Sequence, residues 1–100
     1  MPDLNISVPY QIPQDEALRR IQRYIAQLKT QYAGTVSDLQ ESWNGPVGTL
    51  SGSASGFSVS GTISVNPSMV VVDIALPFAA AFFKTKIETA LRDQLTRILA

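Results

Sequence analysis

At 100 residues, with eight basic and eight acidic side chains in balance, the chain is one domain's worth of sequence and lacks the overall positive field that nucleic-acid binding draws on. It contains no cysteine and no histidine, so disulfides, thiolate nucleophiles and zinc–cysteine sites are excluded, and the commonest metal ligand and general base is missing. Hydrophobic residues at 45% against charged residues at 16% describe a globular, lightly charged domain rather than a disordered one.

The opening Met-Pro-Asp-Leu-Asn has neither a basic leader nor an apolar run behind it, which predicts no secretory signal and a cytoplasmic address. In "LNISVPY", Leu4, Ile6, Val8 and Tyr10 alternate with Asn5 and Ser7, the period-2 signature of a strand with one buried face. Pro9 and Pro13 make it an edge strand or one that ends early. Pro13 also suits a helix start, with Asp15 and Glu16 favouring the positive end of the dipole. Leu18, Ile21, Ile25, Leu28 and Tyr32 then recur at helical period until Gly34, predicting a helix over 14–33.

Turn signals at "WNGPVG", "SGSASG" and "VNPSM" divide the middle of the chain into four short strands. In "GFSVSGTISV", Phe57, Val59, Ile63 and Val65 alternate with Ser58, Ser60, Thr62 and Ser64, so one face is apolar and the other presents hydroxyls to solvent. Gly61 falls on the apolar side, which marks a bulge or a close approach by another element. "MVVVDIAL" sends Val70, Val72, Ile74 and Leu76 inward and Asp73 outward.

The most apolar stretch, "DIALPFAAAFFKTK", is interrupted by Pro77, where the last strand hands over to a helix. Its apolar run of about ten residues is half of the roughly 20 that a membrane-spanning helix needs. Beyond it, Phe83, Ile87, Ala90, Leu91, Leu95 and Ile98 form a stripe reaching the C-terminus. The order is β-α-β-β-β-β-α, a single α+β domain over residues 1–100. Short connections and the solvated hydroxyl face predict a two-layer sandwich, with a largely antiparallel sheet and both helices packed on one face.

The chain resembles the small bacterial proteins called polyhydroxyalkanoic acid system proteins. The likeness spans nearly its whole length. It rests on "ALRRIQRYIAQL", on "WNG" at Trp43 to Gly45, on "SGFSVSGTISV" with Gly56 and Gly61, on "VVVDIAL" and on the closing "KIETALRDQLTRIL". The family takes its name from genes near polyhydroxyalkanoate storage genes in some bacteria. The resemblance therefore implies an association with storage granules and supplies no catalytic residues.

The residues themselves point the same way. The acids are scattered over helix ends, turns and outward strand positions instead of converging on one substrate, and "GTLSGSASG" lacks the lysine and following helix of a phosphate loop. No enzyme, catalytic residue, cofactor or metal is expected. Arg19, Arg20 and Arg23 form a candidate basic patch on the first helix, weighed against an ordinary solvated face. Gln94 reads as a core glutamine of the second helix. Trp43, beside the Asn44-Gly45 turn, either plugs one end of the core or lines a pocket mouth.

Phe83 belongs to the buried stripe of the second helix, whereas Phe82 points some 100° away from it and Phe78 lies near Phe82 one turn earlier. That pair either staples the helix start or forms an exposed apolar patch. Phe78, Phe82 and Trp43 are thus the candidate apolar interface or ligand contacts. The leading expectation is a non-enzymatic binding or assembly protein that self-associates or meets an apolar ligand or granule surface, with no nucleic-acid partner and no transmembrane segment. The alternative is an apolar-ligand domain with a cavity between the sheet and the C-terminal helix.

Overall fold

The computed structural model describes residues 3–54, 56–76 and 78–100, with backbone alone at Ala54 and at 78–80. Strand β1 (Asp3–Pro9) alternates as its sequence predicts, burying Leu4, Ile6 and Val8. It is followed by helix α1 (Gln14–Gln31), strands β2 (Val36–Asn44), β3 (Val47–Ala54), β4 (Phe57–Val65) and β5 (Met69–Ala75), a 3-10 helix (Phe78–Phe83) and helix α2 (Lys84–Ile98). The strands form one sheet in the order β1-β5-β4-β3-β2, and every neighbouring pair is antiparallel. The fold is α+β.

The strand order makes β1 and β2 the two edges, so α1, which joins them, must cross the sheet. Its 18 residues extend about 27 Å at 1.5 Å each, against roughly 19 Å for the four inter-strand spacings. Pro13 precedes the helix without a side-chain cap, and Asp15 and Glu16 occupy its first turn. Gln14 Nε2 donates to the Val65 carbonyl at 2.8 Å, which fastens the helix start to the end of β4. Arg20 donates to the carbonyls of Ile98 and Ala100, each at 2.9 Å. The start of α1 is thereby joined to the end of α2, where carbonyls lack helical partners.

Register explains where the core lies. On the helix-covered face Leu4 opposes Ile74, Ile6 opposes Val72 and Val8 opposes Val70. Val65 and Val70, also paired, are fully buried with Leu4, Ile6 and Ile21. Ala17, Ile21 and Ile25 of α1, Leu95 of α2, and Leu99 complete this cluster. Neither β2 nor β3 adds a fully buried apolar side chain among the described residues. The sheet is therefore filled over β1, most of β5 and the end of β4, and left open over β2, β3 and the start of β4. On its other face Thr49, Ser51, Ser58 and Ser60 are exposed, as the alternation of hydroxyl residues predicts.

Two expectations about the C-terminal helix are corrected. Phe83 is 57% exposed, because α2 begins only at Lys84 and, among the described residues, the 3-10 helix before it packs chiefly on α2. Gln94 is exposed, since the inward side of α2 runs through Ile87, Leu91 and Leu95. Pro77 lies outside the described residues, but the handover assigned to it falls between the end of β5 at Ala75 and the 3-10 start at Phe78.

Candidate apolar cleft

The unfilled half of the sheet is a cleft of about 290 Å³. Its floor is Leu50 and Gly52 of β3, Val59, Gly61 and Ile63 of β4, and Ile74 of β5. Tyr24 and Leu28 of α1 form one wall, and Leu91 of α2 forms the other. Burial raises the Tyr24 hydroxyl above its ordinary pKa, with the nearby Tyr32 acting in the same direction. At pH 7 the wall is uncharged.

The outer lip is made by a bulge in β2. Ser37 pairs with Ser53 and Gln40 with Ser51, so Asp38 and Leu39 together oppose Gly52. Asp38 takes φ +54°, a left-handed conformation that Asp tolerates better than most residues. The extra residue inverts the alternation: Val36 faces the helices before the bulge, and Leu39, Glu41 and Trp43 face them after it. Gly52 is required beneath this lip, because a Cβ there would meet Val36 Cγ1 at 2.9 Å and the Ser37 carbonyl oxygen at 3.3 Å.

Beyond Leu39 the inward face of β2 is closed by polar contacts. Lys29 Nζ of α1 lies 3.0 Å from Glu41 Oε1, and Trp43 Nε1 donates to Glu41 Oε2 at 2.6 Å. The Trp43 hydrogen bond, then the Lys29 hydrogen bond and charge, hold the Glu41 carboxyl below its ordinary pKa against partial burial, which opposes them. The half-buried Trp43 ring lies over Gly48 of β3, at a distance that leaves no room for a Cβ. Trp43 thus sits past one end of the cleft and is not among its lining residues.

The other candidate residues are placed as follows. Phe82 is 94% exposed, and the Phe78 side chain lies outside the described residues. Arg19 pairs with Asp15 and Glu16, and Arg20 with Glu16. The contacts of Glu16 with Arg19 and Arg20 lower its pKa, the Arg19 hydrogen bond first. Arg23 is exposed and has no ion-pair partner among the described residues. Among the described residues no cluster of acids could hold a metal ion, and no helix is long and apolar enough to cross a membrane.

Residues 4–99 match the family described as "Putative polyhydroxyalkanoic acid system protein". The chain belongs to that family. The description of the polyhydroxyalkanoic acid system family names a storage system and no reaction, so it adds no residue to the site. No curated protein matches the chain. Among solved structures it is similar to Ara h 8.0201, at 8% identity and a TM-score of 0.46, over 97% of this chain and 93% of that one. It is also similar to TTHA0849 from Thermus thermophilus, at 10% identity and a TM-score of 0.35, over 98% and 92%. At those values neither likeness bears on function.

The bulge was the feature that reading the sequence missed, and its signal was present. Leu39 and Trp43 share one parity in "VSDLQESW" while Val36 has the other. A single strand can bury all three only if one residue is inserted between Val36 and Leu39.

Proposed function

We propose that this member of the polyhydroxyalkanoic acid system family is a non-enzymatic cytoplasmic binding domain that takes up one small, neutral, apolar molecule in its cleft. The observation that carries this reading is the half-filled layer between sheet and helices, about 290 Å³ in volume, with apolar side chains on its floor and both walls. Its size is near the lower limit for small-molecule sites and equals roughly ten water molecules' share of the liquid. A short acyl chain or alcohol fits that space. Water there would find few polar partners, so an apolar occupant displaces it at little cost.

Decanol is a suitable probe. Tenfold above its Kd it should stabilise the fold by about 1.4 kcal/mol, which raises the melting temperature by roughly 6–11 °C for a domain of this length. Val59→Phe fills the floor and should abolish that shift without melting below the parent. An unchanged melting temperature for the parent up to saturating decanol would exclude the reading. The family's link to polyhydroxyalkanoate supports an apolar ligand in general terms. Self-association draws less support: the exposed phenylalanines Phe57, Phe82 and Phe83 offer less than the roughly 800 Å² per partner typical of stable interfaces.

A further inference from the structure

The antiparallel order places the starts of β1, β4 and β2 and the ends of β5 and β3 at one end of the sheet. Three connections emerge there: α1 to β2, β3 to β4, and β5 to the 3-10 helix. The exposed aromatics follow this geography. Phe82 and Phe83 close the 3-10 helix, Phe57 begins β4, and Tyr32 follows α1. The cleft belongs to the same end, since Val36, Gly52, Val59 and Ile74 each lie within two residues of their strand's terminus there.

Next to the phenylalanines, Lys84 and Lys86 occupy the first turn of α2, which contains no acid. Cations at the positive end of a helix dipole oppose helix stability, and Glu88, one turn on from Lys84, is paired with Arg92 at 3.2 Å instead, so the helix gives little reason for them. An anionic partner does. The acids nearest in the strand order, Asp73 of β5 and Asp3 of β1, sit on the outer sheet face, away from the helices, and Asp38 is in the bulge of the far edge strand. We propose that this end of the molecule docks on an anionic phospholipid surface, with Phe82 and Phe83 inserted at the headgroup boundary and Lys84 and Lys86 against the lipid phosphates.

A lipid surface suits the patch better than a second copy of the chain does. Even with Phe57 and Tyr32 added to Phe82 and Phe83, the partly exposed rings fall short of the area of a stable protein interface, yet aromatic side chains with flanking lysines are the usual interfacial anchors. Each lysine close to an anionic membrane strengthens binding about fivefold, and withdrawing an exposed Phe ring from water adds at least about tenfold. The docking stands whether or not the cleft takes a ligand. If both hold, the cleft lies at the end of the molecule that meets the bilayer.

The test is co-sedimentation with phosphatidylcholine vesicles, with and without about a third of phosphatidylglycerol, at low and high salt. The parent should bind the anionic vesicles roughly 25-fold more tightly than the neutral ones, with the preference screened by salt. Phe82→Ser should keep the parent's melting temperature and lose about tenfold in binding, and Lys84→Gln with Lys86→Gln should remove the preference for anionic lipid. Val59→Phe, blocked for decanol, should bind vesicles like the parent, which separates failure of the docking from failure of the cleft. The proposal is overturned if the parent stays in the supernatant with anionic vesicles, or if either variant binds as the parent does. It is equally overturned if the parent is a dimer that Phe82→Ser dissociates, because a second copy then covers the patch.

Discussion

Gly48→Ala is the smallest change that should damage this fold severely. A Cβ at position 48 would lie 2.7 Å from both Cη2 and Cζ2 of Trp43 and 2.8 Å from Cε2. The contact is with a rigid ring, so the ring must move. Moving it breaks the 2.6 Å hydrogen bond from Trp43 Nε1 to Glu41, leaving the partly buried carboxylate with Lys29 alone. Loss of a hydrogen bond to a charged group costs about 1.5–3 kcal/mol and overpacking about 1–3 kcal/mol, against roughly 0.5–1 kcal/mol regained because alanine has less backbone entropy to lose. The net loss is about 1.5–5.5 kcal/mol, which lowers the melting temperature by at least roughly 6 °C for a domain of this length. Thermal unfolding by far-UV dichroism reads the loss, and Trp43 emission should shift to the red as the ring moves toward solvent. A variant that melts within a degree or two of the parent, with unchanged emission, would refute the stacking of Trp43 on Gly48.

Ile21→Ala, at a fully buried position, should cost about 2–5 kcal/mol, whereas Leu50→Ala, which already faces the cleft, should cost about half as much because it encloses little new void; denaturant titration of the two variants compares them. Glu41 has its pKa lowered on folding from 4.5, by Trp43 first and then Lys29, so its contribution is complete above that value and is lost as pH falls through the folded pKa. Glu41→Gln should therefore be less stable than the parent at pH 7 and should converge on it at acid pH, as followed by melting temperature; a constant gap across that range would contradict the linkage. Phe83→Ser, at a position 57% exposed, should shift the melting temperature by no more than a few degrees, and a loss typical of a buried aromatic would place the ring in the core.

The parts of the fold that could be read from sequence are those with one period and one buried face. β1 and β5 alternate without interruption, and α1 and the later half of α2 keep a helical stripe, so their elements and facing residues follow directly. Phe83 was misread because a stripe in sequence says nothing about whether a strand lies beneath it. Here Phe83 closes the 3-10 helix before α2 and stays more than half exposed. The cleft was legible only as a general alternative. Its depth depends on a β2 bulge that reverses side-chain parity and on Gly52 beneath it, both set by pairing between strands and not by either strand alone. Arg19 and Arg20 show the same limit, since their spacing predicts a cationic face while their contacts tie them to Glu16 and to the end of α2.

The most direct test of the cleft as a binding site is a decanol titration followed by methyl NMR. The account predicts saturable shifts at Leu50, Val59, Ile74 and Leu91, which line the cleft, with Ile6, Val8 and Val70 in the filled half left unmoved. Absence of shifts at saturating decanol, or equal shifts in both halves of the sheet, would contradict it.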